Sequence, residues 1–162
     1  MINQATINLV KKWEGLHDGD LRTIGLQPKM CPAGIWTEGY GRAMRFNGKF
    51  LRGKVNEALA NKIAKIKTEA QAIVALKEDL AEFEIRVKSK VKRQITPNQL
   101  GALTSHTYNT GGSDTLFKLV NQGASDMVIR NWFETKYVTA EGVKLKGLVI
   151  RRKDEANLYF TK

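Results

Sequence analysis

WEGLHDGDLRTIGLQPKMCPAGIWTEGYGR, residues 13–42, is the stretch whose reading decides the fold. Its first residues close a helical pattern. Ile7, Val10 and Trp13 recur at helical spacing over 3–14, and Gly15 stands where a helix would stop. After Glu14 the character changes. Gly19, Gly25, Gly34, Gly39, Gly41, Gly48 and Gly53 recur through 15–55, with Pro28 and Pro32 among them. The short pieces 34–37 and 49–51 between these turn formers favour strand, so a small, irregular antiparallel sheet is expected. A turn-rich segment with Glu14, Cys31 and Thr37 spaced through it has the make-up of a site and not of a connector.

Outward from this stretch the pattern is helical. Residues 55–66 read as a short helix carrying Val55, Leu59, Ile63 and Ile66. Thr68-Glu-Ala-Gln71 is a capping box, in which the Thr hydroxyl and the Gln side chain each satisfy a free backbone N–H. Behind it Ile73, Leu76, Leu80, Phe83 and Val87 step by three and four along one face. The helix they imply, 68–90, is long enough to bridge two lobes. Thr96-Pro-Asn-Gln99 is a second capping box, with Pro97 at the first helical position and Gly111-Gly112 as the stop. Further helices are expected over 114–121, 125–137 and 148–160. The class is α+β and mainly helical.

Composition narrows the function. The 162 residues are 42% apolar and 27% charged, a globular balance. No apolar run approaches the roughly 18–20 residues of a membrane span. The first fifteen residues place polar side chains where a secretory signal has its apolar centre, so no signal peptide is expected. A single cysteine excludes an intrachain disulfide, and His17 and His106 have no ligand-like spacing, so no metal is expected. The net charge of +11 suits polyanionic partners: nucleic acid, anionic lipid or acidic wall polymers. It equally suits a solvated basic surface. Lys and Arg are spread along the chain without a recognition-helix, finger or stacking motif.

Three side chains in the opening stretch can carry chemistry. Glu14 falls in the last turn of its helix, against the negative end of the helix dipole, beside Trp13 and Leu16. Dipole and desolvation both disfavour an ionised carboxyl, and a carboxyl that keeps its proton can serve as a general acid. An exposed Glu at a fraying end fits the same spacing. Cys31 reads either as a small buried apolar residue or as a thiol beside a cleft. Thr37 reads either as a strand threonine or as a hydroxyl that holds a water. Asp18, Asp20 and Glu38 are further carboxylates nearby, solvated by default.

These motifs together resemble the phage-type lysozymes and endolysins of glycoside hydrolase family 24. That family's pattern is Glu, eight residues, Asp or Cys, five residues, Thr, then Gly-Tyr-Gly-His. Here Trp-Glu14-Gly-Leu leads to Cys31-Pro-Ala-Gly-Ile-Trp-Thr37-Glu-Gly-Tyr-Gly. Thr96-Pro-Asn-Gln-Leu-Gly-Ala-Leu, Tyr108-Asn-Thr-Gly and Thr115-Leu-Phe-Lys-Leu-Val-Asn-Gln-Gly resemble the family's helical lobe, and 146–159 its closing helix. Three departures stand out. Sixteen residues separate Glu14 from Cys31, the second position is Cys and not Asp, and Arg42 replaces the His, which is expected to remove a structural pairing.

The resemblance implies one lysozyme-like domain over 1–162: a lobe with the active-site loop at 13–66, a connecting helix at 68–90, and a helical lobe of 96–162 with 1–12. It implies cleavage of the β-1,4 bond between N-acetylmuramic acid and N-acetylglucosamine in peptidoglycan, with no cofactor. Glu14 would protonate the glycosidic oxygen, while Cys31 and Thr37 position a water attacking the opposite face. Asp18 or Asp20 could instead supply the missing carboxylate. Arg151 and Arg152 match the family's Arg pair, either paired with a carboxylate at the lobe junction or lying on a helix surface. By analogy the protein acts as a monomer, is held in the bacterial cytoplasm, and reaches the wall once a holin breaches the membrane. A lytic transglycosylase on the same bond and a non-catalytic basic wall- or nucleic-acid-binding module are the alternatives.

Overall fold

The computed structural model describes residues 2–162. Two compact units emerge, one made of 14–79 and the other of the segment ending at Trp13 together with 80–162. The fold is α+β and mainly helical, with small antiparallel sheets in the N-terminal lobe and a long helix leading to the helical lobe. Helix α1 (Gln4–Glu14) opens the chain and has Glu14 as its last residue.

In 14–79 the strands are short because turns interrupt them every few residues. Strands β1 (Lys29–Met30), β2 (Trp36–Glu38) and β3 (Arg42–Ala43) form one antiparallel sheet in that order. Lys29 lies opposite Thr37 and Met30 opposite Trp36, while Glu38 lies opposite Arg42. Strands β4 (Arg45–Phe46) and β5 (Lys49–Phe50) form a hairpin on Asn47-Gly48, both at positive φ (50° and 77°), the twist-matched turn that Asn-Gly favours. Trp36, Met44, Leu51 and Ala60 make the small apolar core beneath.

The helix expected over 55–66 is shorter. A 3-10 turn at Lys54–Asn56 precedes α2 (Glu57–Ile63). The tighter turn takes Val55 out of register with Leu59 and Ile63 and leaves it 91% exposed, while Ile66 lies beyond the helix and is buried.

The lengthened loop before β1 closes on itself. Gly19 N–H donates to the Gln27 carbonyl at 3.0 Å. Asp18 Oδ1 accepts from the N–H groups of Asp20 and Gln27, each at 3.2 Å. A Cβ on Gly19 would stand 2.1 Å from the Pro28 oxygen, so only glycine lets the two sides of this neck meet. Residues 20–26 are an excursion tied at its neck, and Leu26 at its end also donates its N–H to the Lys67 carbonyl at 2.9 Å.

Helix α3 (Glu69–Lys90) starts at the expected capping box, with Gln71 N–H donating to Thr68 Oγ1 and Thr68 N–H to Gln71 Oε1. The helical unit follows: α4 (Pro97–Thr110), α5 (Asp114–Asn121), α6 (Asp126–Thr135) and α7 (Lys146–Phe160). Thr96 and Gln99 form the second capping box, and Gly111 ends α4 in the left-handed region. From Leu100 to Thr107 every residue of α4 is buried. Thr104 and Thr107 return their hydroxyls to the carbonyls of Leu100 and Leu103, which satisfies them without a neighbour. Leu103, Leu116, Phe133 and Ala156 belong to the apolar core of this unit.

One feature of this unit departs from expectation, and one open alternative is decided. Helix α6 stops at Thr135, because Lys136 is extended and Tyr137 sits at φ 57°. The chain then makes a hairpin, β6 (Thr139–Ala140) with β7 (Val143–Lys144), around Glu141-Gly142. Arg151 and Arg152 are not on a helix surface. Both are buried, with Arg152 Nε 3.2 Å from Glu155 Oε2 and Arg151 Nε 3.4 Å from Glu155 Oε1. Ser105 donates to the same carboxylate at 2.9 Å, and Arg152 Nη2 donates to Asn109 Oδ1 at 2.7 Å. Among the described residues no helix is long and apolar enough to cross a membrane.

Candidate active site

The site is built from the end of α1 and the β1–β2 hairpin, all within 14–79. Gly15 leaves α1 at φ 69°, which turns the chain sharply after Glu14. His17 N–H then donates to the Gly39 carbonyl at 2.8 Å and fastens this turn to the end of β2. Gly39 and Gly41 have positive φ (61° and 90°) and lie close to other groups. A Cβ on Gly39 would be 2.9 Å from Ile66 Cδ1, and one on Gly41 would be 3.8 Å from Glu14 Oε2. The Gly-Tyr-Gly run thus lets backbone pass beside the Glu14 carboxylate.

Thr37 is buried on the central strand β2. Its hydroxyl donates to the Lys29 carbonyl across the sheet at 2.8 Å, and His17 Nδ1 lies 2.6 Å from the same oxygen. Cys31 follows β1 at the closed end of the hairpin. Its N–H donates to the Ile35 carbonyl and its own carbonyl accepts from Gly34, both at 2.8 Å. Strand alternation puts Lys29, Cys31, Ile35 and Thr37 on one face. Cys31 is half-buried, with a free thiol.

The spare carboxylates are otherwise engaged. Asp18 holds the neck of the loop. Asp20 accepts from Thr23 Oγ1 at 2.7 Å and from Arg22 N–H at 3.0 Å. Both shape the excursion. Glu38, expected to be solvated, is buried and accepts the backbone N–H groups of Lys65 and Ile66 at 2.8 and 3.0 Å. It faces away from Thr37 by strand alternation.

Arg42 corrects another expectation. In place of a lost pairing it makes a new one, reaching Asp79 at 2.9 Å, Glu78 at 3.0 Å and the Ala75 carbonyl on α3. The long guanidinium fork spans a gap that a shorter side chain would have to fill by closer approach.

His17 is the neighbour of Thr37 that the sequence alone missed. Weighed only as a zinc ligand against His106, it stood apart from the chemistry. Its signal was its place three residues after Glu14, within one turn of a helix end. Burial pushes its imidazole below the usual value, helped by the Lys29 ammonium, while the Glu14 carboxylate and a hydrogen bond to the Glu14 backbone pull the other way.

The family model for phage lysozyme matches residues 11–155. The chain belongs to the phage lysozyme family. An endolysin of Acyrthosiphon pisum secondary endosymbiont phage 1 is 28% identical over 165 aligned residues, covering 98% of this chain and 97% of that one. The solved endolysin of Escherichia coli O157:H7 phage FAHEc1 is 27% identical and superposes with a TM-score of 0.72, covering 99% and 93% of the two chains. A lysozyme of phage P22 has the same fold at 20% identity, with a TM-score of 0.73 and 99% of each chain covered. Membership in the phage lysozyme family carries a peptidoglycan-lytic function. The self-closing neck shows how this member holds a lengthened loop between its helix-end Glu and its hairpin.

Proposed function

We propose that this chain is an endolysin of the muramidase type. It hydrolyses the β-1,4 bond between N-acetylmuramic acid and N-acetylglucosamine, acting as one lysozyme-like domain. Glu14 is the general acid that protonates the leaving oxygen, and Thr37 and Cys31 hold the attacking water.

The supporting observation is the convergence of Glu14 and Thr37 through His17. The His17 backbone is fastened to the Gly39 carbonyl, two residues before the Gly41 that lies against the Glu14 carboxylate, and its ring touches the Thr37 hydroxyl at 2.6 Å. The hydroxyl has one hydrogen and two lone pairs, so with Lys29 O and His17 Nδ1 as neighbours it retains capacity for a water. The net charge of +11 favours approach to an acidic wall polymer. Action at the wall would follow breach of the membrane by a holin-type partner, with the chain working as a monomer.

The test is product release from purified peptidoglycan. Wild type should liberate reducing ends, and Glu14→Gln should lower the rate by at least about a hundredfold, the scale of a lost general acid. Wild-type activity in Glu14→Gln would overturn the assignment. A lytic transglycosylase would instead leave 1,6-anhydro ends.

A further inference from the structure

The face that carries Cys31 and Thr37 does not end at Ile35. Arg52 is the direct antiparallel partner of Ile35, and Gly53 N–H donates to the Gly34 carbonyl at 2.9 Å. Residues directly opposite in such a pair point to the same side. Arg52 therefore stands on the side of Ile35, Cys31 and Thr37. Its neighbour Leu51 faces the other way, into the core with Trp36. Phe50, two residues before Arg52, returns to the side of Arg52, and Arg45 lies opposite Phe50 across the β4–β5 ladder.

The ring contacts agree with this alternation. The guanidinium carbon of Arg45 lies 3.7 Å from the centroid of the Phe50 ring, and that of Arg52 lies 5.9 Å from the same centroid. A carbonyl steadies each fork: Arg45 Nη1 donates to Gly48 O at 3.0 Å and Arg52 Nη1 to Ala33 O at 3.4 Å. A guanidinium has five N–H groups, so both forks keep donors for a ligand. Among the described residues neither pairs with a carboxylate. The chain offers none locally, since no Asp or Glu occurs from 39 to 56. All three side chains are exposed. Two like charges gathered on one ring, held by carbonyls and left without a counter-charge, form a prepared site for an oxyanion.

We propose that Arg45 and Arg52, stacked on Phe50, bind free carboxylates of the peptide stems that the glycan strand carries. This role rests on the reading of the Thr37 face as the place of hydrolysis. A carboxylate matches the planar fork and accepts two parallel N–H bonds from it. The stems branch from N-acetylmuramic acid, the sugar whose bond is cut, so a strand lying along this face brings them to the platform. The contact is the same before and during bond breaking. It therefore sets affinity for the substrate and leaves the rate of the chemical step alone.

Amidation of the stem carboxylates tests the contact with both arginines in place. Binding is read by co-sedimentation of the Glu14→Gln chain with insoluble peptidoglycan, untreated or amidated. Amidation should weaken binding at least about tenfold, the scale of two exposed ion pairs. In the same background, Arg45→Gln with Arg52→Gln should lose about tenfold on untreated material and less than about twofold on amidated material. Lys144→Gln with Lys153→Gln removes the same charge at exposed positions elsewhere, and should stay within about twofold on both.

Kinetics supply the second arm. With Glu14 in place, the double arginine variant should raise KM on untreated peptidoglycan about tenfold and keep kcat within about twofold. Equal binding of the parent chain to untreated and amidated material would overturn the proposal. So would an arginine-pair loss as large on amidated as on untreated material, or an equal loss in the lysine pair. Product release by Glu14→Gln would fail the acid assignment and not the carboxylate contact, which the binding comparison reads without turnover.

Discussion

At the residue scale the site rests on side chains whose neighbours decide what they can do. Thr37 is a hydroxyl between a carbonyl and an imidazole, and Cys31 is a thiol two residue pairs away on the same face of the hairpin. A water bound there loses more when the hydroxyl goes than when the thiol goes. Thr37→Val should therefore cost about a hundredfold in kcat and Cys31→Ala about tenfold, while Cys31→Asp, which restores the family's other option, should keep activity. Steady-state rates on purified peptidoglycan check the order. Equal losses in the first two variants would remove the distinction between them. The sequence singled out Glu14, Cys31 and Thr37 as candidates because the Glu–Cys–Thr order survives a change in spacing. His17 and Arg42 were not legible, because each takes its role from partners far along the chain: Thr37 and Gly39 for one, Asp79 and Glu78 for the other.

At the scale of elements, helix starts were legible and tight contacts were not. Both capping boxes are local devices, so Thr68 and Thr96 begin helices as their sequences state. The β6–β7 hairpin was not legible, because Glu141 occupies a left-handed turn position that Asn or Asp commonly fills. Gly101 also hides its reason. Gly→Ala inside a helix ordinarily gains about 1 kcal/mol. Here the added Cβ would meet Thr6 Oγ1 at 1.8 Å, in the contact of α1 with α4. Overpacking of this kind costs about 1–3 kcal/mol, so Gly101→Ala should destabilise. Thr6→Ala in the same chain should return most of that loss, as a denaturant double-mutant cycle would measure.

The loop excursion makes the opposite prediction. Because Gly19 and Gln27 already meet at the neck, replacing residues 21–26 with one glycine leaves an Asp-Gly turn across it. The rate on peptidoglycan should stay within about threefold of wild type. A collapse in kcat would assign the excursion a part in the chemistry.

At the scale of the whole molecule, buried charge sets the response to acid. His106 is fully buried among Trp132, Phe133 and Tyr137, and burial, then Arg152 and Arg151, push its pKa down from 6.5 to about 3. The unfolded chain therefore binds one more proton than the folded chain between these values. The neutral ring's contribution is complete above pH 6.5 and is lost as pH falls toward 3, at about 1.4 kcal/mol per pH unit. His106→Gln should flatten the dependence of Tm on pH across that window relative to wild type. An unchanged slope would contradict the assignment. None of this was legible in the sequence, where Arg151 and Arg152 read as well on a surface as in a pair. Their burial depends on Ser105, Asn109 and Glu155 meeting them between α4 and α7.

In the proposed reaction a water held at Thr37 attacks while Glu14 supplies the proton. Digestion of purified peptidoglycan in heavy-oxygen water, with mass spectrometry of the muropeptides, tests it most directly. Wild type should place one heavy oxygen on each new N-acetylmuramic acid reducing end, and Glu14→Gln should give no such products above background. Products that carry 1,6-anhydro ends without heavy oxygen, or full labelled turnover by Glu14→Gln, would contradict it.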